Sequence, residues 1–450
     1  MDLLFKLAVF FVPFDNLFFA PSKGWATISP ILFALYAISN FKELTQSIKA
    51  TKNYVFLVVV IIIYSTCLYL FYPPDLGNIF DSFSTLAFGM LLYLSLYIRY
   101  IIRKQDMKED IKILIFAYTI SFFYGFVKFL ALKGGVGFVL SMFSLIEKRY
   151  YDRLAFTFTE PSFISLHVAG VMYLLCISIK DKLLKKKLFK LICAFCLLTL
   201  ISGDSARFLV DFAIILALIV AKTLTLHKIK FSKKIVILVL IVLMTGGLAL
   251  QISGNTRVTK MLNGNSYNDM INSDPSLAAR YFRINSSIHG YENEPFRALF
   301  GAGTGNSFYF LRYGYNDALA EYTNAYVDEV AGLYDQKVNQ LFCMPIRLVS
   351  EIGVVWFIIL MLLIFSKVIK NKENVFDLLI IIYLYVQFDS YAFYTFPLYL
   401  FIIDYKANKR RIAKNIEQMK KVGKVRRVKK GVLKQQLSIT YKTETSENIK

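Results

Sequence analysis

The chain predicts an all-α polytopic membrane protein with about twelve transmembrane helices and one large outer loop. Three observations point there. Of its 450 residues 56% are hydrophobic and 16% aromatic, its apolar runs recur at near-membrane length, and its basic residues return at every second boundary between those runs. The formal charge of +22 would suit a nucleic-acid partner. Here, however, the Lys and Arg residues are spread over short loops instead of forming one face, which is the signature of topology and argues against nucleic acid.

Candidate spans lie near 3–20, 26–41, 54–72, 82–102, 111–132, 155–178, 188–203, 206–225, 234–252, 341–366, 375–390 and 391–405. Most approach the roughly 20 residues that cross a hydrocarbon core, while the second, seventh, eleventh and twelfth are short. Segments 42–53, 99–112, 180–190, 222–234 and 367–372 are basic, as is everything from Lys406 onward. The positive-inside rule puts them, with both termini, in the cytoplasm, and the Lys- and Arg-free loops 73–81 and 388–391 outside. Residues Met1 to Ala20 show no small-residue cleavage pattern and read as the first span. The five cysteines lie in or at the ends of spans and imply no disulfide scaffold, and Cys193 and Cys196, without His or acidic neighbours, read as packing residues.

Four parts follow: spans one to nine (1–252), a hydrophilic outer stretch (253–340), the last three spans (341–405) and a basic tail (406–450). The outer stretch is too long for an ordinary connection, and its tyrosines, acids and glycines predict an ordered cap. Within it, residues 324–341 have helical spacing and are expected to run into the tenth span. The tail, dense in Lys and Arg between Lys420 and Lys434, suits anionic lipid head groups.

Four arginines fall on the side that basic residues avoid: Arg153, Arg207, Arg280 and Arg283. An anionic ligand held there is the most economical reason. In Arg153-Leu-Ala-Phe-Thr-Phe-Thr-Glu160-Pro161-Ser162, aromatic and Thr residues alternate, so the chain is expected to enter extended and to start a helix at Pro161. Glu160 then reads either as a helix cap with Arg153 as counter-ion or as a carboxylate at an active site. His167, seven residues on, reads as a packing residue or as part of a proton relay.

The stretch Ser202-Gly-Asp204-Ser205-Ala-Arg207 interrupts two apolar runs so briefly that a tight hairpin is expected. A guanidinium held at its edge can grip a diphosphate bidentately, or can simply pair with Asp204. Farther along, Arg280 and Arg283 sit three apart and hence adjacent on a helix. Gly301, Gly303 and Gly305 precede Asn306; their N–H groups can form a nest for phosphate or sugar oxygen, or can simply make turns.

These patterns, in their order and sidedness, resemble the bacterial O-antigen polymerases of the Wzy type, relatives of the O-antigen ligases. The residues carrying the resemblance are the R-x6-E-P-S stretch from Arg153, the S-x-D-S-A-R hairpin ending at Arg207, the stretch from Ser276 to Asn306, and Asn339 to Gly353 with Glu351-Ile-Gly353. The resemblance implies a membrane glycosyltransferase of the C type in the bacterial inner membrane. Such an enzyme joins undecaprenyl-diphosphate-linked oligosaccharide units by inverting transfer, without metal or cofactor, in some cases with a chain-length regulator as partner. It further implies catalytic roles for Glu160, Arg207 and Arg280, and substrate binding by Arg153, Arg283, Gly303, Asn306 and Asn339. Ligases carry a histidine where this chain has Val338, Asn339 and Gln340, which favours polymerase over ligase and leaves Glu160 or His289 as candidate base. A flippase or other transporter is the alternative of a different class. Transporters place their charges at mid-membrane and need no such cap.

Overall fold

The computed structural model describes residues 2–17, 28–202, 206–227, 275–321, 328–369 and 372–421. Among these residues the fold is all-helical; no strand forms, and one isolated bridge joins Leu17 to Glu147. The chain divides into two compact units, Met1–Phe401 and Ile402–Lys450.

The N-terminal half contains α1 (Asp2–Phe10), α2 (Ser29–Ser39), α3 (Phe41–Ala50), α4 (Lys52–Leu68), α5 (Leu76–Tyr97), α6 (Met107–Gly134), α7 (Gly137–Ile146), α8 (Leu174–Ser178), α9 (Lys182–Ser202) and α10 (Ala206–His227). The long helices start and stop where their sequence dictates. Asp75 caps α5 by accepting from the Asn78 N–H, and Asp106 caps α6 by accepting from the Lys108 N–H. Gly135, at φ +64°, ends α6 in the left-handed region. Glu109 and Asp110 in the first turn of α6 favour its positive dipole end.

Among the described residues, four helical stretches are long and apolar enough to cross a membrane: Leu76–Ile102, Met107–Gly134, Pro161–Ser178 and Met344–Val368. A fifth arises if α3 and α4, bent by 92°, count as one broken span. Helices also occupy the other expected positions, except that of 234–252, which lies outside the described residues; α1 and α2 are only 9 and 11 residues long. A buried Lys128 inside α6 is neutralised by Glu147 at 2.7 Å, as a charge in an apolar span must be.

In several places the backbone departs from the pattern read in the sequence. The segment 161–178 is not a plain α-helix: it opens as a 3-10 turn (Pro161–Phe163) and continues as a π-helix (Leu166–Tyr173) before α8. The regular seven-residue spacing between Glu160 and His167 therefore does not apply. Helix α7 is an extra apolar element. And residues 332–343 do not run helically into the next span, because Asp389 captures the N–H groups of Leu341 and Phe342 at 2.7 and 3.0 Å, and Phe342 adopts φ +57°.

The described residues after α10 form five further helices, joined by loops at 301–307 and elsewhere: α11 (Pro275–Asn293), α12 (Pro295–Phe300), α13 (Phe308–Tyr313), α14 (Tyr315–Glu321) and α15 (Asp328–Ala331). They own a core of Ala279, Phe282, Leu311, Tyr315, Ala318, Val330, Leu333 and Leu341. The described part of this stretch is therefore packed about apolar side chains of its own. The chain closes with α16 (Met344–Val368), α17 (Lys372–Tyr385) and α18 (Thr395–Lys421).

Helix α16 is broken at Gly353, with φ +79° and ψ 165°. The break is where α12 docks: a Cβ on Gly353 would lie 2.4 Å from the Leu299 carbonyl oxygen, and one on Gly301 2.5 Å from the Gly353 nitrogen. Two glycines face each other because neither backbone leaves room for a side chain. Gly353→Ala is expected to destabilise the protein by about 2–4 kcal/mol, combining backbone strain with overpacking. A lowered thermal unfolding midpoint in detergent would show it.

Candidate functional site

The segment leading to Glu160 is pinned from below. Phe156 and Phe158 are fully buried; Phe156 packs on Phe195 at 4.5 Å, and Phe158 stacks on His167 at 4.0 Å. Between them the Thr157 carbonyl accepts from the N–H groups of Asp15 and Asn16, both at 3.0 Å. The expected extended entry does not form: Phe156 adopts φ +54° and the Phe158 N–H closes a turn on the Ala155 carbonyl at 3.1 Å, and extended backbone is reached at Glu160, φ −147°, just before the 3-10 turn.

Glu160 does not cap that turn with its side chain. Its Oε2 accepts from the Ser162 hydroxyl at 3.0 Å and faces the Arg280 Nη2 at 3.9 Å, while Oε1 faces the Arg149 Nη1 at 3.6 Å. The counter-ions of Glu160 are thus Arg149 and Arg280. Arg153 lies over the Tyr151 ring instead, 5.7 Å from its centre, and Tyr151 is within electrostatic reach of Glu160 and Arg149.

Arg207, on the first turn of α10, donates from Nη2 to the Gln387 carbonyl at 3.1 Å, and its Nε faces Asp211 Oδ2 at 3.6 Å. Asp211 is itself fixed by Tyr383 (2.7 Å) and the Gln387 amide (2.9 Å). Asp204, the other pairing considered, lies outside the described residues. Both Arg280 and Glu160 are within electrostatic reach of Arg207.

Arg280 and Arg283, adjacent on α11, share one aromatic ring: their guanidinium carbons lie 5.0 and 4.9 Å from the centre of Phe342. Arg283 also donates to the Gln340 carbonyl at 2.9 Å. A ring face between two cations relieves their repulsion without neutralising either. The structure therefore brings Arg207, Arg280, Arg283 and Glu160 together from segments far apart in sequence, with Arg149 and Arg153 at the margin through Tyr151. A site of this kind favours an anion that accepts several charge-assisted hydrogen bonds.

Gly303, Asn306 and Asn339 belong elsewhere. Gly303, at φ +93°, donates to the Glu351 carbonyl at 2.8 Å, Ala302 donates to the Ser350 carbonyl at 2.8 Å, and the Thr304 N–H is taken by the Ser65 hydroxyl at 3.1 Å. Asn306 is fully buried, its amide donating to the Tyr72 and Ala302 carbonyls. Of the two readings of these glycines, the turn is what forms, with the Asn306 N–H on the Gly303 carbonyl at 3.0 Å, and the N–H groups of Ala302, Gly303 and Thr304 dock α12 and its loop to α4 and α16 instead of lining a phosphate nest.

Asn339 accepts from the Ser307 N–H at 2.8 Å and donates to Ser82 and Glu351, both at 3.1 Å. Glu351, fully buried, is the hub of that second cluster. Arg347 donates to it from Nε at 2.9 Å and Tyr391 from its hydroxyl at 2.8 Å. Arg347 spends its other nitrogens on the Asp389 carbonyl (2.6 Å) and Ser82 (2.8 Å).

Neither His167 nor His289 faces the arginine cluster as a free base. His167 is fully buried, bonded to Asp15 and to Tyr118 at 2.8 Å each, which is the packing role. His289 has both ring nitrogens engaged, by Glu292 at 2.9 Å and Glu321 at 3.0 Å. It also sits nine residues beyond Arg280, about 13 Å along the helix. Among the described residues no three His, Cys, Asp or Glu side chains gather as a metal site.

Sequence reasoning missed Arg149, Asp211, Phe342, Arg347, Gln387 and Asp389. Arg149 carried a usable signal, being a cation four residues before Arg153. Asp211 and Arg347 carried one too, standing at the i, i+4 ion-pair spacing from Arg207 and Glu351, whereas Phe342, Gln387 and Asp389 act through backbone groups or across the fold, where no local pattern marks them.

Burial opposes charging of His289, yet the Glu292 hydrogen bond and the Glu321 charge outweigh it and raise its pKa. The stabilisation is therefore complete below the ordinary value of 6.5 and is lost as pH rises through the raised value. Comparing unfolding midpoints of the native chain and His289→Gln should show an advantage at about pH 6 that vanishes by about pH 8.5. In the second cluster, Glu351→Leu should cost about 3–5 kcal/mol by stranding Arg347, and adding Arg347→Met should recover part of it. A double-mutant cycle on thermal midpoints measures that coupling.

No protein-family model matches the chain, and no curated protein matches it either.

Proposed function

We propose that the chain is a membrane glycosyltransferase that polymerises oligosaccharide repeat units carried on a polyprenyl diphosphate, at the outer face of a bacterial inner membrane. The observation that carries this reading is the convergence of Arg207, Arg280 and Glu160 from α10, α11 and the turn at Pro161. A diphosphate bound to a lipid arrives at the membrane boundary with its charge exposed, and fixed guanidinium groups at that boundary are suited to receive it. In this reading the bundle has about twelve spans of the C type, both termini are cytoplasmic, and α11 to α15 form the outer cap.

The chemistry then asked of these residues is simple. The terminal hydroxyl oxygen of the acceptor unit bonds to the anomeric carbon of the growing chain from the face opposite the diphosphate. The carbon–oxygen bond to the diphosphate breaks, its electron pair leaving with the lipid carrier. Arg207 and Arg280 balance the charge that develops on that leaving group, and Glu160 takes the hydroxyl proton. With His289 turned to Glu292 and Glu321, Glu160 is the remaining carboxylate or imidazole of the two candidates.

Arg207→Ala and Arg280→Ala should each abolish long polysaccharide while single repeat units still reach the surface acceptor. Loss of charge stabilisation at the leaving group costs on the order of 10²–10³ in rate. Lys at either position should rescue poorly, since a point charge cannot reproduce the planar fork. A normal ladder on a polysaccharide gel from both Ala variants would count against the site.

A further inference from the structure

We infer that the Glu160 carboxylate is a stand-in for the lipid diphosphate: it holds the anion position among Arg149, Arg207 and Arg280 until a donor binds, and is then displaced. The inference rests on the reading of this site as a diphosphate site and adds how the empty site is kept and how it is opened.

Three carboxylates near the two polar clusters behave differently, and the contrast is what singles out Glu160. Asp211 accepts two hydrogen bonds, at 2.7 and 2.9 Å, and its side chain is 1% exposed. Glu351 is tied by Arg347 at 2.9 Å and Tyr391 at 2.8 Å and is fully buried. Both are locked. Glu160 faces its two cations at 3.6 and 3.9 Å, beyond the 2.7–2.9 Å of a charge-assisted hydrogen bond, with its side chain 27% exposed. The short bond it does make is to Ser162, two residues on. It is held in place by its own turn and drawn by the arginines without being fastened to them.

Charge explains why something anionic must be there and why a carboxylate is only a partial answer. Among the described residues, Arg149, Arg207 and Arg280 are faced by Asp211 and Glu160, three cations to two anions. Without Glu160 the guanidinium groups would repel one another with less to offset it; with a diphosphate in its place the balance is better than the carboxylate achieves. An incoming diphosphate therefore competes with Glu160 and wins on charge. Because Pro161 and the Ser162 bond limit how far the side chain retreats, the freed carboxylate stays beside the bound donor. It is available as a proton acceptor only once the donor has replaced it.

The test is binding of inorganic pyrophosphate to the full-length protein in lipid nanodiscs, measured by calorimetry. Glu160→Gln, nearly the same shape without the charge, is expected to bind pyrophosphate about tenfold more tightly than the native chain, the equivalent of roughly 1.4 kcal/mol, while polymer formation falls. Glu160→Ala, which drops the carboxylate with its stem, should show the same gain if the Gln variant folds poorly. Unchanged or weaker binding in both variants overturns the stand-in role. Arg280→Gln separates the two levels: it should weaken pyrophosphate binding. If native chain, Glu160 variants and Arg280→Gln all fail to bind or bind alike, the diphosphate reading falls and this inference with it.

Discussion

A carboxylate buried in the most apolar of the candidate spans, Glu351, constrains much of what surrounds it. Stripped of water it must be paired, and the pairing it finds, with Arg347 one turn earlier and the Tyr391 hydroxyl, ties α16 to the turn before α18. Arg347 extends the tie to the Asp389 carbonyl, and Asp389 in turn captures the backbone at Leu341 and Phe342. Phe342 is thereby set at φ +57°, an uncommon conformation for a residue with a side chain, and its ring stands between Arg280 and Arg283. A buried ion pair inside the bundle is thus linked, through Asp389, to the ring that two arginines of the candidate site share.

The two polar clusters differ in a way that matters for function. Around Glu351 and Asn339 the side-chain groups bond to one another at short range and are closed off from solvent. Around Glu160 the cations are aimed but only loosely engaged, and they are partly exposed. Closed networks rigidify a scaffold; an electropositive cluster with slack in it is what a transient anionic substrate needs. Gln387 and Asp211 connect the two kinds of region, since they position Arg207 while belonging to the packed interior.

How much of this could be read beforehand depended on whether the signal was local. The arginines at 153, 207, 280 and 283 stood out because charge at a span boundary is conspicuous, and Glu160 because of the Pro that follows it. The aromatic residues Phe156 and Phe158 announced a buried entry but not its backbone, which turns at Phe156 instead of running extended. The glycine trio left two readings open: positive φ serves both a phosphate nest and a turn that docks two backbones tightly, and only the helix carbonyls of Ser350 and Glu351 decide for the turn. The break at Gly353 was hidden for a related reason, since an apolar window looks the same whether its helix is continuous or not. Asp389 and Gln387 act through main-chain groups 40 to 180 residues away, a relation that no spacing rule contains.

The central claim is that these guanidinium groups serve a reaction in which a lipid diphosphate leaves a sugar. Its most direct test is reconstitution of the purified chain in liposomes with lipid-linked repeat units as sole substrate, following both products by mass spectrometry. The account predicts oligomers that remain attached to the lipid diphosphate, with one free polyprenyl diphosphate released for every glycosidic bond formed. Substrate that stays unconsumed in fully folded protein, or that is moved across the bilayer intact without any released polyprenyl diphosphate, would contradict it.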